Sequence, residues 1–261
     1  MSEARDLPLA RTALVTGGAK RIGRAICERL AGAGWRLALH YHGSAEEADA
    51  ACRELRERFG VEVAPLPADL ADPTATRDLL REAATALGPV GLLVNSAAIF
   101  EGPDWREMDS EEIDRHLAIN FRAPLLMMQE FALTLPEDRA GAIVNLIDQR
   151  VWNLTPQFPA YTASKAALWT ATRQMALALA PRIRVNAVGP GPTLPGPRQT
   201  DADFEAQWRA VPLARQTRPE EIAEAVDYLA NARAVTGQML ALDGGEHLGW
   251  QQAGLGVAPR E

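Results

Sequence analysis

Arg11-Thr-Ala-Leu-Val-Thr-Gly-Gly-Ala-Lys-Arg-Ile-Gly23 puts a strand-forming run, a glycine-rich turn and the start of a helix in immediate succession. Residues 11–16 read as the strand, and residues 22–33 as a helix closed by Gly34. Glycines in such a connection let the backbone turn tightly and approach a pyrophosphate, which then rests on the helix N-terminus. A glycine-rich loop alone says little, but between a strand and a helix it is a strong sign of a dinucleotide site.

The same alternation continues along the chain. Further strands are expected at residues 36–41, 61–66, 91–94, 142–147, 183–188 and 238–242, and helices at 45–59, 73–87, 110–135, 160–180 and 219–231. Pro73 suits a helix start, and Pro124 should kink or interrupt the helix around it. Gly91-Leu-Leu-Val94 is apolar throughout, as befits a strand covered on both faces. Repeated βαβ units imply an α/β fold: one doubly wound sheet of seven parallel strands, with helices on both faces and right-handed crossovers. The 261 residues fit a single domain, 1–261. Gly189-Pro-Gly-Pro-Thr-Leu-Pro-Gly-Pro197 breaks the rhythm, and residues 189–212 are expected to form a lid over a substrate. Residues 247–261 form a tail that could reach a neighbouring subunit.

Hydrophobic residues make up 47% of the chain, enough for one large core, and the net charge of −7 gives no reason to expect nucleic acid or a membrane as partner. Cys27 and Cys52 have neither metal-ligand spacing nor a disulfide pattern, which suits free thiols in a reducing cytoplasm. The N-terminus lacks the apolar run of a signal peptide, and no apolar stretch approaches the roughly 20 residues of a membrane span. His40, His42, His116 and His247 show no metal-ligand spacing, so no metal is expected.

Tyr161-Thr-Ala-Ser-Lys165 places a phenol and an ammonium one helical turn apart on one face. Free tyrosine, with a pKa of about 10, is a poor acid near neutrality. A cation roughly 5 Å away contributes about 3 kcal/mol at an effective dielectric near 20, enough to make the phenol a usable general acid. Asp148 stands thirteen residues upstream of Tyr161. An ionised carboxylate cannot donate a hydrogen bond to a carbonyl and repels a developing alkoxide. It can accept from substrate N–H groups or, if protonated, supply a proton.

On Tyr161, Lys165 and the Thr16–Gly23 loop, the chain resembles the short-chain dehydrogenase/reductase superfamily, and Asp148 together with the Lys20-Arg21 pair is similar to its pteridine reductase branch. Most of the superfamily has serine at the place of Asp148. The resemblance spans residues 12–245 and implies a Rossmann-type fold, NADP(H) as cofactor and a homotetramer. The superfamily pattern Thr-Gly-x-x-x-Gly-x-Gly matches at Thr16, Gly17 and Gly23 and departs at Arg21, next to Ile22. Asp69-Leu70 resembles the acid and neighbour that contact adenine. Asn95-Ser-Ala97-Ala98 stands where Asn-Asn-Ala-Gly is usual. Asn120 matches an asparagine that helps a water connect the lysine to solvent, and Pro190-Gly191 matches the turn beside the nicotinamide. The resemblance assigns Lys165 a second role, holding the cofactor ribose.

NAD-preferring folds place an acid about 20 residues beyond the glycine loop, but His40-Tyr-His-Gly-Ser44 holds no carboxylate. Arg21, His42 and Ser44 could donate to an extra phosphate, which points to NADPH, although Gly43 stands where the pteridine reductase branch often has arginine. In that branch a phenylalanine at the place of Phe100 stacks the pterin against the nicotinamide. Trp152, Phe158, Trp208 and Trp250 are further candidates to line a flat pocket. The expected activity is NADPH-dependent reduction of a dihydropterin-like C=N bond, with Tyr161 donating the proton and Asp148 orienting the substrate. A general carbonyl reductase, and an NADP(H)-binding sensor with little catalysis, stay open beside it.

Overall fold

The computed structural model describes residues 7–102, 105–196 and 198–249. In chain order the elements are β1 (Thr12–Val15), α1 (Arg21–Gly32), β2 (Arg36–Tyr41), α2 (Ala45–Phe59), β3 (Val63–Pro67), α3 (Pro73–Leu87) and β4 (Leu92–Asn95). Then follow α4 (Ser110–Leu117), α5 (Ala123–Thr134), β5 (Gly141–Leu146), α6 (Pro159–Leu179), β6 (Ile183–Pro190), α7 (Asp201–Arg209), α8 (Pro219–Asn231) and β7 (Met239–Leu242). The seven strands are all parallel, in the order β3-β2-β1-β4-β5-β6-β7. The order reverses between β1 and β4, and a crevice opens there at the carboxyl ends of the strands.

The strands are apolar on both sides because both sides are covered. In β1, Ala13 and Val15 face a core with Ile26, Leu30, Trp35, Val226 and Leu229, built by α1, α2 and α8. Leu14, between them, points the other way into a core with Leu79, Met127, Phe131 and Leu168, built by α3, α5 and α6. Trp35 and Leu14 are completely buried, and each such side chain contributes roughly 1.5–3 kcal/mol through removal from water. Cys27 and Cys52 are buried free thiols, and burial raises the pKa of both.

The structure refines three sequence expectations. The third strand runs Val63–Pro67, not 61–66. Its pairing with β2 extends to Tyr41↔Pro67, and a proline, which lacks only the N–H, is tolerated on this edge strand. The irregularity expected at Pro124 lies just before it, as a π-helical turn over Ala118–Arg122 that joins α4 to α5. Pro124 cannot donate to the carbonyl four residues back, at Asn120, and its ring crowds that carbonyl; the preceding turn widens and Ala123 N–H bonds Ala118 O instead. Within the 189–212 segment, expected as a lid, lies α7, started by a Thr200–Asp203 capping box. Residues 250–261 of the expected tail, with Trp250, lie outside the described residues, and His247 belongs to a 3-10 turn at Glu246–Leu248. No described helix is long and apolar enough to cross a membrane.

Candidate active site

The β1–α1 connection is held open by its glycines. Gly17 has φ +66, and a Cβ on Gly23 would lie 2.1 Å from Gly17 O; alanine there would force the turn apart. Lys20, the residue before α1, offers no side-chain acceptor, so the first-turn N–H groups of α1 face outward uncapped. Arg21 takes φ +51, the left-handed region where the superfamily pattern has glycine.

Two polar side chains, His40 and Thr16, fix this loop from beneath. Gly17 N–H donates to Nδ1 of His40 at 3.1 Å, and Nε2 of His40 lies 3.1 Å from Ala68 O. These partners require the tautomer with hydrogen on Nε2. Burial pulls the His40 pKa down to about 4, so the ring stays neutral and able to accept. Thr16 Oγ1 accepts from Ser96 and Ala97 N–H at 2.9 Å each, tying the β1 loop to the β4 loop. Asn95 Nδ2 donates to Asn145 Oδ1 at 2.7 Å, and Asn145 in turn donates to Thr172 Oγ1 at 2.8 Å.

A cavity of about 410 Å³ opens above the loop, and Gly17, Arg21, Ile22, Gly23, His42, Ser44, Asp69, Leu70 and Ala97 all line it. The structure therefore brings together nine of the expected cofactor contacts. Asn95 is not among its lining: it is buried between β4 and β5 and serves from below. Pro190 ends β6, and Gly191 N–H bonds Leu242 O at 3.0 Å on the far side of the crevice. Arg21, which lines the cavity, also reaches across to the segment after β6. Its guanidinium donates to Pro195 O at 3.1 Å and to Leu194 O at 3.5 Å, in the segment after β6. Lys20 lines the same cavity as His42 and Ser44 and pairs with Glu47 at 2.5 Å.

The uncapped α1 terminus, the glycines and the cavity fit a dinucleotide. Among the described residues no group of three His, Cys, Asp or Glu side chains could hold a metal ion.

Asp148, Tyr161 and Lys165 meet at the carboxyl end of β5. The Tyr161 hydroxyl donates to Asp148 Oδ2 at 2.9 Å. Asp148 Oδ1 accepts from Arg150 N–H at 2.8 Å, capping the short 3-10 turn Gln149–Val151. Lys165 Nζ donates to Leu146 O at 2.8 Å and lies 5.8 Å from the Tyr161 ring centroid. Tyr161 and Lys165 are buried. Asp148 is less covered, with 20% of its side chain exposed, yet its enclosure outweighs the neighbouring cations and raises its pKa. Burial lowers the Lys165 pKa to about 8, with Asp148 opposing. A proton shared between a phenol and a carboxyl, beside a cation, is an arrangement for proton transfer.

Asn120, in the widened turn, is fully engaged. Its Oδ1 accepts from Ile99 N–H at 2.9 Å, and its Nδ2 donates to Ile99 O and to Ser164 Oγ. It thereby anchors the chain just before Phe100. The Phe100 ring stands edge-on to Tyr161 with centroids 4.6 Å apart and lies 4.5 Å from Phe158. Trp152, 43% exposed, packs on Trp169 and His247 instead, and Trp208 is half-buried beneath Arg209 on α7. His40 and Asn145 escaped the sequence reading. Their only signal was a polar residue at an inward position of a strand.

The family model described as enoyl-(acyl carrier protein) reductase matches residues 17–247. The chain belongs to this family of the short-chain dehydrogenase/reductase superfamily, and is an oxidoreductase by class. It is 31% identical over 247 residues to the 3-oxoacyl-[acyl-carrier-protein] reductase FabG of Staphylococcus aureus, which covers 93% of this chain and 100% of that one. Among solved structures it is similar to the FolM alternative dihydrofolate reductase 1 of Brucella canis complexed with NADP, with 44% identity, a TM-score of 0.90, and 95% and 98% of the two chains covered. The Brucella suis counterpart, also with NADP, gives 46%, 0.89, and 92% and 96%.

Proposed function

We propose that this protein is an NADPH-dependent reductase of dihydropterin-like substrates, acting on a ring C=N bond. The observation that carries the reading is the Tyr161–Asp148 hydrogen bond beside the Phe100 ring. A carbonyl reductase gains from a hydroxyl donor at position 148. A carboxylate there suits a nitrogen-edged heterocycle, whose N–H groups it can accept. A flat ring over Phe100 gains on the order of 0.5–1.5 kcal/mol beyond area burial. The likeness to two FolM proteins at 44% and 46% identity supports the same reading, while the FabG likeness at 31% favours a 3-oxoacyl thioester.

NADP(H) is the cofactor in this reading: Gly17, Ile22 and Gly23 would hold its pyrophosphate, and Lys20, His42, Ser44 and Asp69 would hold its adenosine end. When bound it supplies the hydride that the ring carbon receives. Tyr161 O–H gives its proton to the ring nitrogen, Asp148 as a carboxylate accepts from the substrate's N–H groups and orients that edge, and the phenolate regains its proton from solvent. Lys165 as a cation favours the phenolate left behind. Since the Lys165 pKa is about 8, the cation is present below that pH and lost above it. We therefore expect kcat/KM to fall as pH rises through about 8. Rates that climb steadily into the alkaline range would contradict this role.

NADPH consumption measured on dihydropterins and on a 3-oxoacyl thioester tests the substrate class. Turnover of the dihydropterins is expected to exceed that of the thioester in kcat/KM by about a hundredfold or more, equivalent to about 2.7 kcal/mol. Turnover of the thioester alone would refute the reading.

A further inference from the structure

Phe158 precedes α6 with φ +53 and ψ +54, the left-handed region, which a bulky residue seldom enters. Strain of this kind persists where the surroundings over-determine it, and it clusters at sites that hold ligands. Here it turns a buried ring toward Phe100, so that Tyr161, Phe100 and Phe158 form a row with centroid steps of 4.6 and 4.5 Å. The row ends at Arg198, between β6 and α7, whose Cζ lies 5.0 Å over the Phe158 ring.

A second guanidinium, that of Arg150, lies 5.9 Å from the same ring, but it is committed. Arg150 is buried, its Nε is 4.0 Å from Asp148 and its terminal nitrogen donates to Thr155 Oγ1 at 2.6 Å. Arg198 is exposed, and among the described residues no carboxylate lies within ion-pair distance of it. Gly196 N–H, bonded to Gln199 Oε1 at 2.9 Å, and the Thr200 cap of α7 brace the backbone on either side. The ring below restrains the guanidinium, so less freedom is lost when an anion arrives. In a chain of net charge −7, an anionic substrate depends on such a local cation.

We propose that Arg198 is the anion-reading end of the substrate site. It selects dihydropterins that carry a carboxylate on an extended side chain over those with a neutral side chain. The pterin-like ring lies at Phe100 beside Tyr161, the side chain follows Phe158, and the carboxylate pairs with Arg198. This assignment rests on the dihydropterin reading for its ring end, while the anion subsite can be measured separately.

Steady-state rates of wild type, Arg198→Gln and Arg198→Lys are to be compared with 7,8-dihydrofolate, which bears carboxylates, and 7,8-dihydrobiopterin, which does not. Calorimetric binding of p-aminobenzoylglutamate to the NADP-loaded wild type and Arg198→Gln proteins completes the test. Arg198→Gln is expected to raise KM for dihydrofolate at least about tenfold with little change in kcat. It should leave KM for dihydrobiopterin within about twofold and weaken p-aminobenzoylglutamate binding in parallel, and Arg198→Lys should recover part of the loss. Equal effects on both substrates, or no effect on either and unchanged binding of the fragment, would overturn the proposal. If neither dihydropterin is reduced but fragment binding still depends on Arg198, the dihydropterin reading fails and the anion subsite stands. If both are reduced and Arg198→Gln alters neither KM nor fragment binding, the converse holds.

Discussion

Tyr161→Phe is expected to lower kcat about a thousandfold while leaving the dissociation constant for NADPH within about twofold. The substitution removes one oxygen, the donor to Asp148 at 2.9 Å, and general-acid contributions of this kind run from about a hundredfold to about ten-thousandfold. The ring keeps its edge contact with Phe100, so the site should keep its shape. Fluorescence titration with NADPH beside single-turnover rates separates the two effects. Retained turnover would show that the proton comes from elsewhere, and lost NADPH binding would show that the hydroxyl holds the fold of the crevice.

Much of this site could be read before the structure, for physical reasons that differ from residue to residue. Tyr161 and Lys165 were legible because helical spacing alone puts them on one face. Gly17 and Gly23 were legible because a strand–turn–helix junction leaves room for little else. Asp148 was legible as a departure from the superfamily's serine, although only the fold brings its carboxylate to the Tyr161 hydroxyl. His40 was not legible: its part depends on a hydrogen bond to Gly17, 23 residues away, and on burial that keeps it neutral. The direction of Arg21 was hidden too, because Pro195 lies 174 residues further on. A guanidinium in this loop would suit an added phosphate, and the folded chain gives that of Arg21 the carbonyls of Leu194 and Pro195 as partners. The helix α7 escaped because the Pro- and Gly-rich run before it dominated the reading of 189–212, although Thr200 and Asp203 carry a capping box. The left-handed conformation of Phe158 has no signature in the sequence at all.

Asp148→Ser is the second substitution with a large expected effect. It restores the residue usual in the superfamily and removes the carboxylate bonded to Tyr161. A hydrogen bond involving a charged group contributes about 1.5–3 kcal/mol, and loss of its part in orienting the substrate's N–H edge adds to that. Dihydropterin reduction should fall about a hundredfold or more in kcat/KM. NADPH binding should change little, because Asp148 lies outside the lining of the cavity over the β1–α1 loop. A serine hydroxyl can donate to a carbonyl oxygen and carries no charge to repel an alkoxide, so ketone or thioester reduction should hold or rise.

In the proposed reaction the carboxylate at 148 directs the proton to nitrogen. The most direct measurement is the ratio of kcat/KM for a dihydropterin to that for a 3-oxoacyl thioester, in wild type and in Asp148→Ser. A ratio well above one is expected for wild type, with a drop of about a hundredfold or more on substitution, about 2.7 kcal/mol of transition-state discrimination. A ratio unchanged by the substitution, or a wild type that prefers the thioester, would contradict it.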